Sequence, residues 1–254
     1  MTRVIALANQ KGGVGKTTTA VNLAACLAEA EQRVLLIDLD PQCNASSGVG
    51  VRAPSRRRST YGLLAGEAGF VEVTSQTMID HLFAVPSSPD LAAAEVELAG
   101  AAGRESLLRR ALEGLDVEYD FVFVDCPPSL GVLTVNALVA AREVMVPVQA
   151  EYYALEGLTQ LMDTIAHVQE QLNPELKILG VLLTMLDGRT KLSKEVVAEV
   201  RSYLGPGVFA TVVPRNVRLS EAPSHGLPVC RYDPGCVGCD SYFEVAKEVV
   251  SRGI

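Results

Sequence analysis

Apolar and polar positions follow one another along this chain in blocks, not residue by residue. Residues 4–8, 33–38, 121–125, 144–148, 178–184 and 208–213 are short apolar runs with few polar interruptions. Runs of this length and character belong to strands buried on both faces, as in a parallel sheet. Between them lie stretches of good helix formers at 17–30, 130–141, 155–172 and 191–203, and a last one from about 240 to 251. Strand and helix alternating along the whole length predict an α/β fold: a doubly wound, mostly parallel sheet with helices on both faces. No Ser/Gly-rich linker and no internal repeat divides the chain, so residues 1–254 read as one domain. Residues 48–80 show little periodicity and carry Arg52, Arg56, Arg57 and Arg58. They predict a surface excursion, with the role of Arg56 to Arg58 left open.

Composition narrows the picture. Hydrophobic residues make up 48% of the 254 positions and charged residues 20%, which excludes a mainly disordered chain. The net charge is −8, so the protein should not coat nucleic acid indiscriminately, and any such contact must come from a local basic patch. No apolar run reaches the ~18 residues of a membrane span, and the apolar stretch at the start is too short for a signal peptide. A cytoplasmic location and reduced thiols at the six Cys are therefore expected.

The chemistry lies at the ends of the predicted strands. Lys11-Gly12-Gly13-Val14-Gly15-Lys16-Thr17-Thr18 separates the first strand from the first helix. This is the place and composition of a loop whose backbone N–H groups cradle phosphates. Lys16 would reach the outer phosphates, and the Thr17 hydroxyl would sit on Mg²⁺. The ordinary pattern places Gly where this chain has Gln10, and Gly12, Gly13 and an additional Lys11 stand in its place. The second strand ends at Asp38 and Asp40 and another at Asp125. Ligands of parallel sheets sit outside the carboxyl ends of the strands, so these acids can converge on the loop. Asp125 is read as the metal-side carboxylate paired with Thr17. Of Asp38 and Asp40, one can support the metal and the other position water, although Asp40 also suits a turn before Pro41.

With Lys11 early in the loop, the chain resembles the deviant Walker A ATPases, and among them the ParA/Soj chromosome- and plasmid-partitioning ATPases. The resemblance also rests on residues 38–42, 125–129, 148–157, 184–190 and 214–226, and so spans nearly the whole chain. It implies an ATP-sandwich homodimer with ATP and Mg²⁺ as cofactors. Lys11 would reach the phosphates bound by the other subunit, and Gly12 would lie at that interface. The whole loop (Lys11, Gly12, Gly13, Val14, Gly15, Lys16, Thr17 and Thr18) would hold the nucleotide, with Pro214 and Asn216 bordering the adenine. Asp40 matches the family's water-positioning residue, which leaves Thr17, Asp38 and Asp125 on the metal side. The ATP dimer would bind double-stranded DNA without sequence preference, and a ParB-type activator would trigger hydrolysis and release on the nucleoid. Residues 186–218 hold six bases against three acids, which suits phosphate contact. Arg189 and Arg218 match positions implicated in it.

Two positions depart from the family. Cys43 stands where a glycine is usual, and that glycine would permit an unusual backbone angle near Asp40. Cys236-x-x-Cys239, with Cys230 upstream, has no family counterpart; half a zinc site or a redox pair are the functional readings. Cys26 and Cys126 read as small buried apolar residues, and His81, His167 and His225 lack ligand spacing. Tyr152 and Tyr153 are assigned to packing or an interface. Two competitors share the loop. The septum-site (MinD-like) membrane switches end in a basic amphipathic helix, whereas residues 242–254 here carry two Glu and two bases. The nitrogenase iron protein needs two well-placed Cys per subunit, and Cys126 has no convincing companion.

Overall fold

The computed structural model describes residues 2–97, 100, 103–115, 118–151 and 156–253. The chain begins with β1 (Arg3–Leu7), α1 (Lys16–Glu29) and β2 (Val34–Asp38), followed by the short helices α2 (Asn44–Gly48), α3 (Thr60–Leu64) and α4 (Phe70–Val73). Then come β3 (Ser75–Gln76), β4 (Leu82–Val85), α5 (Leu91–Glu97), α6 (Leu107–Glu113), β5 (Phe121–Asp125) and α7 (Val132–Ala140). The remainder is β6 (Glu143–Gln149), α8 (Glu156–Gln171), β7 (Lys177–Thr184), α9 (Lys191–Leu204), α10 (Val217–Glu221), α11 (Val229–Tyr232) and α12 (Val237–Ser251).

Among the described residues the strands form one sheet in the order β3-β4-β2-β5-β1-β6-β7. Every pairing is parallel except β3 with β4. The apolar runs explain this directly. In β5, Val122 and Val124 enter the core on one face while Phe121 and Phe123 enter the core on the other; in β2, Leu35 and Ile37 oppose Val34 and Leu36 in the same way. A strand with a core on both sides has no solvent face to fill with polar residues. The chain leaves β1 in one direction for β2 and fills the other side with β6 and β7. The crevice at this reversal lies beyond the C-terminal end of β1, where the glycine loop starts.

Two expectations are corrected. Residues 48–80 are not a surface excursion: Tyr61, Leu63, Leu64, Phe70 and Val73 are buried in the core, and Ser75–Gln76 adds an antiparallel edge. Elements of two to five residues are too short to show a period, which is why the pattern is silent there. The arginines are structural ties. Arg56 lies over the Tyr61 ring and pairs with Glu97, Arg57 pairs with Glu72, and Arg58 donates to the Glu72 carbonyl. The run at 208–213 is not a strand; beside β7 it makes one bridge, Val181 to Val208, and a further backbone hydrogen bond from Val213 to Leu183, and a second bridge joins Leu186 to Pro214. Tyr152 and Tyr153 lie outside the described residues.

Candidate functional site

The glycine loop turns through two left-handed residues, Gly13 (φ 74°) and Gly15 (φ 88°). Gly15 caps α1 without a side-chain hydrogen bond, so the first N–H groups of the helix point into the crevice. A side chain at Gly15 would be strained by that φ, whereas at Gly12 it would meet nothing closer than the Pro128 Cβ at 3.9 Å. Among the described residues of one chain, therefore, nothing requires glycine at position 12.

Thr184 at the end of β7 anchors the loop from behind: its Oγ1 donates to the Val14 carbonyl at 2.8 Å. Lys16 is buried, with Nζ donating to the Lys11 carbonyl at 3.2 Å. Burial lowers its pKa, and the nearby Asp125 opposes that shift. Lys11 is half-exposed and its Nζ lies 3.6 Å from Glu151 Oε2.

Asp38 and Asp125 face each other in register across β2 and β5, both fully enclosed at the strand ends. Their roles differ. Both Asp38 oxygens are engaged by the chain itself: Oδ1 accepts the Asp40 N–H at 3.0 Å, and Oδ2 accepts the Ser46 N–H at 2.8 Å and the Ser46 Oγ–H at 2.6 Å. Asp38 thus ties the Asp40 turn and α2 to the sheet, and burial pushes its carboxyl up to about 6. Asp125 Oδ2 accepts the Thr17 Oγ1–H at 2.8 Å, while among the described residues Oδ1 is buried with no hydrogen-bond partner. Burial, and then the charge of Asp38, raise the Asp125 pKa well above the usual carboxylate range.

A buried carboxylate oxygen without a partner is costly, and a divalent cation is the group that would satisfy it. Among the described residues no three His, Cys, Asp or Glu side chains converge as an all-protein metal cluster. That suits magnesium, which binds through one or two protein ligands and takes the rest from phosphate and water.

Asp40 is buried, with Oδ1 accepting the Gln42 N–H at 2.9 Å. The turn after it passes through Cys43 in the left-handed region (φ 58°), the angle expected where the glycine is missing. A cavity of about 540 Å³ opens beside the loop, lined by Gly15, Thr17, Thr18, Asn22, Pro214 and Asn216 among others. The fold thus brings Pro214 and Asn216 to the phosphate loop across some two hundred residues. Asn216 also caps α10 by accepting the Arg218 N–H at 2.8 Å. Sequence reasoning missed Ser46 and Thr184 as positioning residues, since neither lies in a pattern that marks its target.

The proposed DNA residues stand apart from this crevice chemistry. Arg189 is well exposed and donates through Nε and Nη2 to Asp187 at 2.9 and 2.8 Å. That hydrogen bonding holds the Asp187 carboxyl down to about 2. Arg218 pairs with Glu221 at 2.8 Å and with Asp233 at 3.0 Å.

A family model described as an AAA domain matches residues 2–178. The sporulation initiation inhibitor protein Soj of Bacillus subtilis is 52% identical over 253 residues, covering 100% of both chains. The chromosome-partitioning ATPase Soj of Thermus thermophilus is 54% identical, covering 98% of this chain and 96% of that one. Among solved structures, cobyrinic acid a,c-diamide synthase from Mycobacterium smegmatis with bound ADP and magnesium superposes with a TM-score of 0.85 at 40% identity, over 97% of this chain and 93% of that one. Identity to the two Soj proteins is thus the higher.

Proposed function

The chain belongs to the Soj/ParA family of chromosome-partitioning ATPases, and on that premise we propose that it is an ATP-driven DNA-partitioning switch. The observation that carries the nucleotide chemistry is the buried, unpartnered Asp125 Oδ1, on a carboxylate near Lys16 that also accepts from Thr17, a residue of the cavity wall. Thr17 and Asp125 would hold magnesium, with Asp38 fixing the strand end behind them. When bound, the ion withdraws negative charge from the phosphate oxygens. Lys16 leaves the Lys11 carbonyl for the outer phosphates, and the loop N–H groups and the α1 terminus bind the remaining oxygens. Asp40 orients the attacking water from a turn that Asp38 and Ser46 hold in place. Pro214 and Asn216 border the base.

The room for a side chain at Gly12, with no described atom closer than 3.9 Å, supports a sandwich homodimer. A glycine that no described intramolecular neighbour requires fits a surface where a second copy approaches closely, bringing its Lys11 to the phosphates. Arg189 and Arg218 contact duplex DNA by phosphate, displacing their own acids, so binding is independent of sequence and weakened by salt. Asn216 links the two functions, since it borders the cavity and caps the helix that carries Arg218. A ParB-type partner stimulates hydrolysis and releases the dimer. No helix of the described residues is long and apolar enough to cross a membrane. In α12, Tyr242, Val245 and Val249 are already buried in the core and are not available to a bilayer surface.

Co-sedimentation with nonspecific duplex DNA and, separately, with anionic liposomes tests the reading, each with ATP, with ADP and without nucleotide, at two salt concentrations. ATP-dependent, salt-weakened binding to DNA is expected; pelleting with liposomes instead moves the protein to the membrane-switch class. In Gly12→Val and Lys11→Ala, sedimentation should show a folded monomer that no longer dimerises with ATP. An unchanged ATP dimer in both variants would sink the sandwich.

A further inference from the structure

Contacts between α1 and α11 run like the teeth of a zipper and set two thiols against each other. Asn22, Cys26 and Glu29 lie one turn apart along one face of α1. Asn22 Oδ1 accepts the Val229 N–H at 2.7 Å, and Glu29 Oε1 pairs with Arg231 Nε at 2.6 Å. Cys230 stands between Val229 and Arg231 as Cys26 stands between Asn22 and Glu29, so the two flanking contacts set the thiols on facing sides of the seam between α1 and α11. Both are buried, Cys26 at 1% exposure and Cys230 at 8%. The nucleotide chemistry uses neither.

We propose that Cys26 and Cys230 are a redox modification site, a thiol pair that closes to a disulfide when peroxide is the oxidant and thereby restrains the nucleotide cavity. The neighbouring Cys26 thiol lowers the Cys230 pKa against the opposing effect of burial, while Cys230, reinforced by burial, raises that of Cys26. Cys230, the less enclosed of the two at 8% against 1% exposure, is the thiol that peroxide reaches first. Its sulfur attacks one oxygen of hydrogen peroxide and the O–O bond breaks. The departing hydroxide takes up the proton that Cys230 released and leaves as water. The Cys26 sulfur then attacks the Cys230 sulfenic sulfur, the S–O bond breaks, and the hydroxyl leaves with the Cys26 proton as a second water. Two thiols are oxidised by two electrons and one peroxide is reduced to two waters.

The consequence follows from what the two elements carry. Helix α1 lines the cavity with Thr18, Val21 and Asn22, and the segment running into α11 lines it with Pro223, Ser224 and Leu227. A covalent tie between Cys26 and Cys230 keeps these walls from parting, so bound nucleotide leaves more slowly. Cys236 and Cys239 are arranged otherwise: Cys236 Sγ accepts the Cys239 N–H at 3.4 Å, and burial pushes the Cys239 thiol up to about 12.

The test treats the whole protein with hydrogen peroxide, maps peptides without reduction by mass spectrometry, and follows release of a fluorescent ATP analogue. A peptide joining Cys26 to Cys230 is expected, with release slowed several-fold and restored by dithiothreitol. Cys26→Ala and Cys230→Ala should each keep the native circular dichroism and lose both effects. A peptide joining Cys236 to Cys239 instead, no cross-link at all, or a Cys26–Cys230 cross-link without slowed release would overturn the proposal. The peptide map does not depend on the nucleotide reading, so failure of the pair and failure of that reading are told apart.

Discussion

The phosphate-loop end of the sheet and the basic stretch 186–218 both concentrate charge, but they dispose of it in opposite ways. At the loop end Lys16, Asp38, Asp40 and Asp125 are all buried, three carboxylates to one ammonium, and Asp125 keeps a buried oxygen unpartnered. In the basic stretch the charges face water, and three of the six bases close on acids nearby: Arg189 on Asp187, Lys191 on Glu195, Arg218 on Glu221 and Asp233. Buried, incompletely paired charge costs several kcal/mol, on the order of a whole cavity mutation, and persists where a ligand completes it. Exposed pairs contribute about 0–1 kcal/mol each. The first arrangement therefore points outward to a cation and phosphates. The second describes a surface half of whose bases already hold acids of their own, for which a polyanion has to compete.

The largest effects should come from the buried side. Asp40→Ala is expected to lower ATP hydrolysis by about 10²–10⁴-fold, the usual range for a residue that manages the attacking nucleophile's proton. It should leave nucleotide binding and the DNA-bound ATP dimer intact; normal turnover in this variant removes Asp40 from the mechanism. Asp125→Asn keeps the shape of the strand end but removes the charge behind Thr17. A loss of about 10–100-fold in magnesium affinity or activity is expected, read by titrating magnesium against hydrolysis. If both variants behave as wild type, the contrast between the two regions loses its meaning.

The exposed side should respond more gently, and upward. Asp187→Asn frees the Arg189 guanidinium from its bidentate partner. DNA affinity should rise at low salt, and the slope of log affinity against log salt should steepen by about 0.9, one additional phosphate contact. An unchanged slope would mean that Arg189 does not meet phosphate.

The same contrast governs what could be read from the residues alone. The apolar runs 4–8, 33–38 and 121–125 became strands because a doubly covered strand admits little else, and the carboxylates ending them were legible for the same reason. The left-handed angle at Cys43 was legible too, through the glycine it replaces. What escaped depends on contacts between distant positions. Ser46 holds Asp38 from a five-residue helix, and Thr184 holds the loop at Val14 from 170 positions away. Six bases against three acids between 186 and 218 overstated the basic patch, because two acids that neutralise Arg218 lie beyond that window, at 221 and 233. The run at 208–213 has a strand's composition, but beside β7 it makes one bridge and one further backbone hydrogen bond instead of a ladder, and composition does not report pairing.

The smallest effect concerns strain, which the loop end stores beside its reacting turn. Cys43 is held at φ 58° and ψ 28°, and its N–H donates to the Asp40 carbonyl at 2.9 Å. A side chain in the left-handed region costs about 1–2 kcal/mol. A glycine there relieves that cost but gives back about 0.4–1 kcal/mol through the freer unfolded chain. Cys43→Gly should therefore stabilise the protein by about 0.5–1 kcal/mol, raising Tm by about 1–4 °C in a chain of this size. Hydrolysis should be nearly unchanged, since the backbone bond to Asp40 remains. The thiol offers one counterweight, Sγ donating to the Pro41 carbonyl at 3.4 Å. A lower Tm together with slower hydrolysis would show that this contact, not the backbone angle alone, holds the turn that positions Asp40.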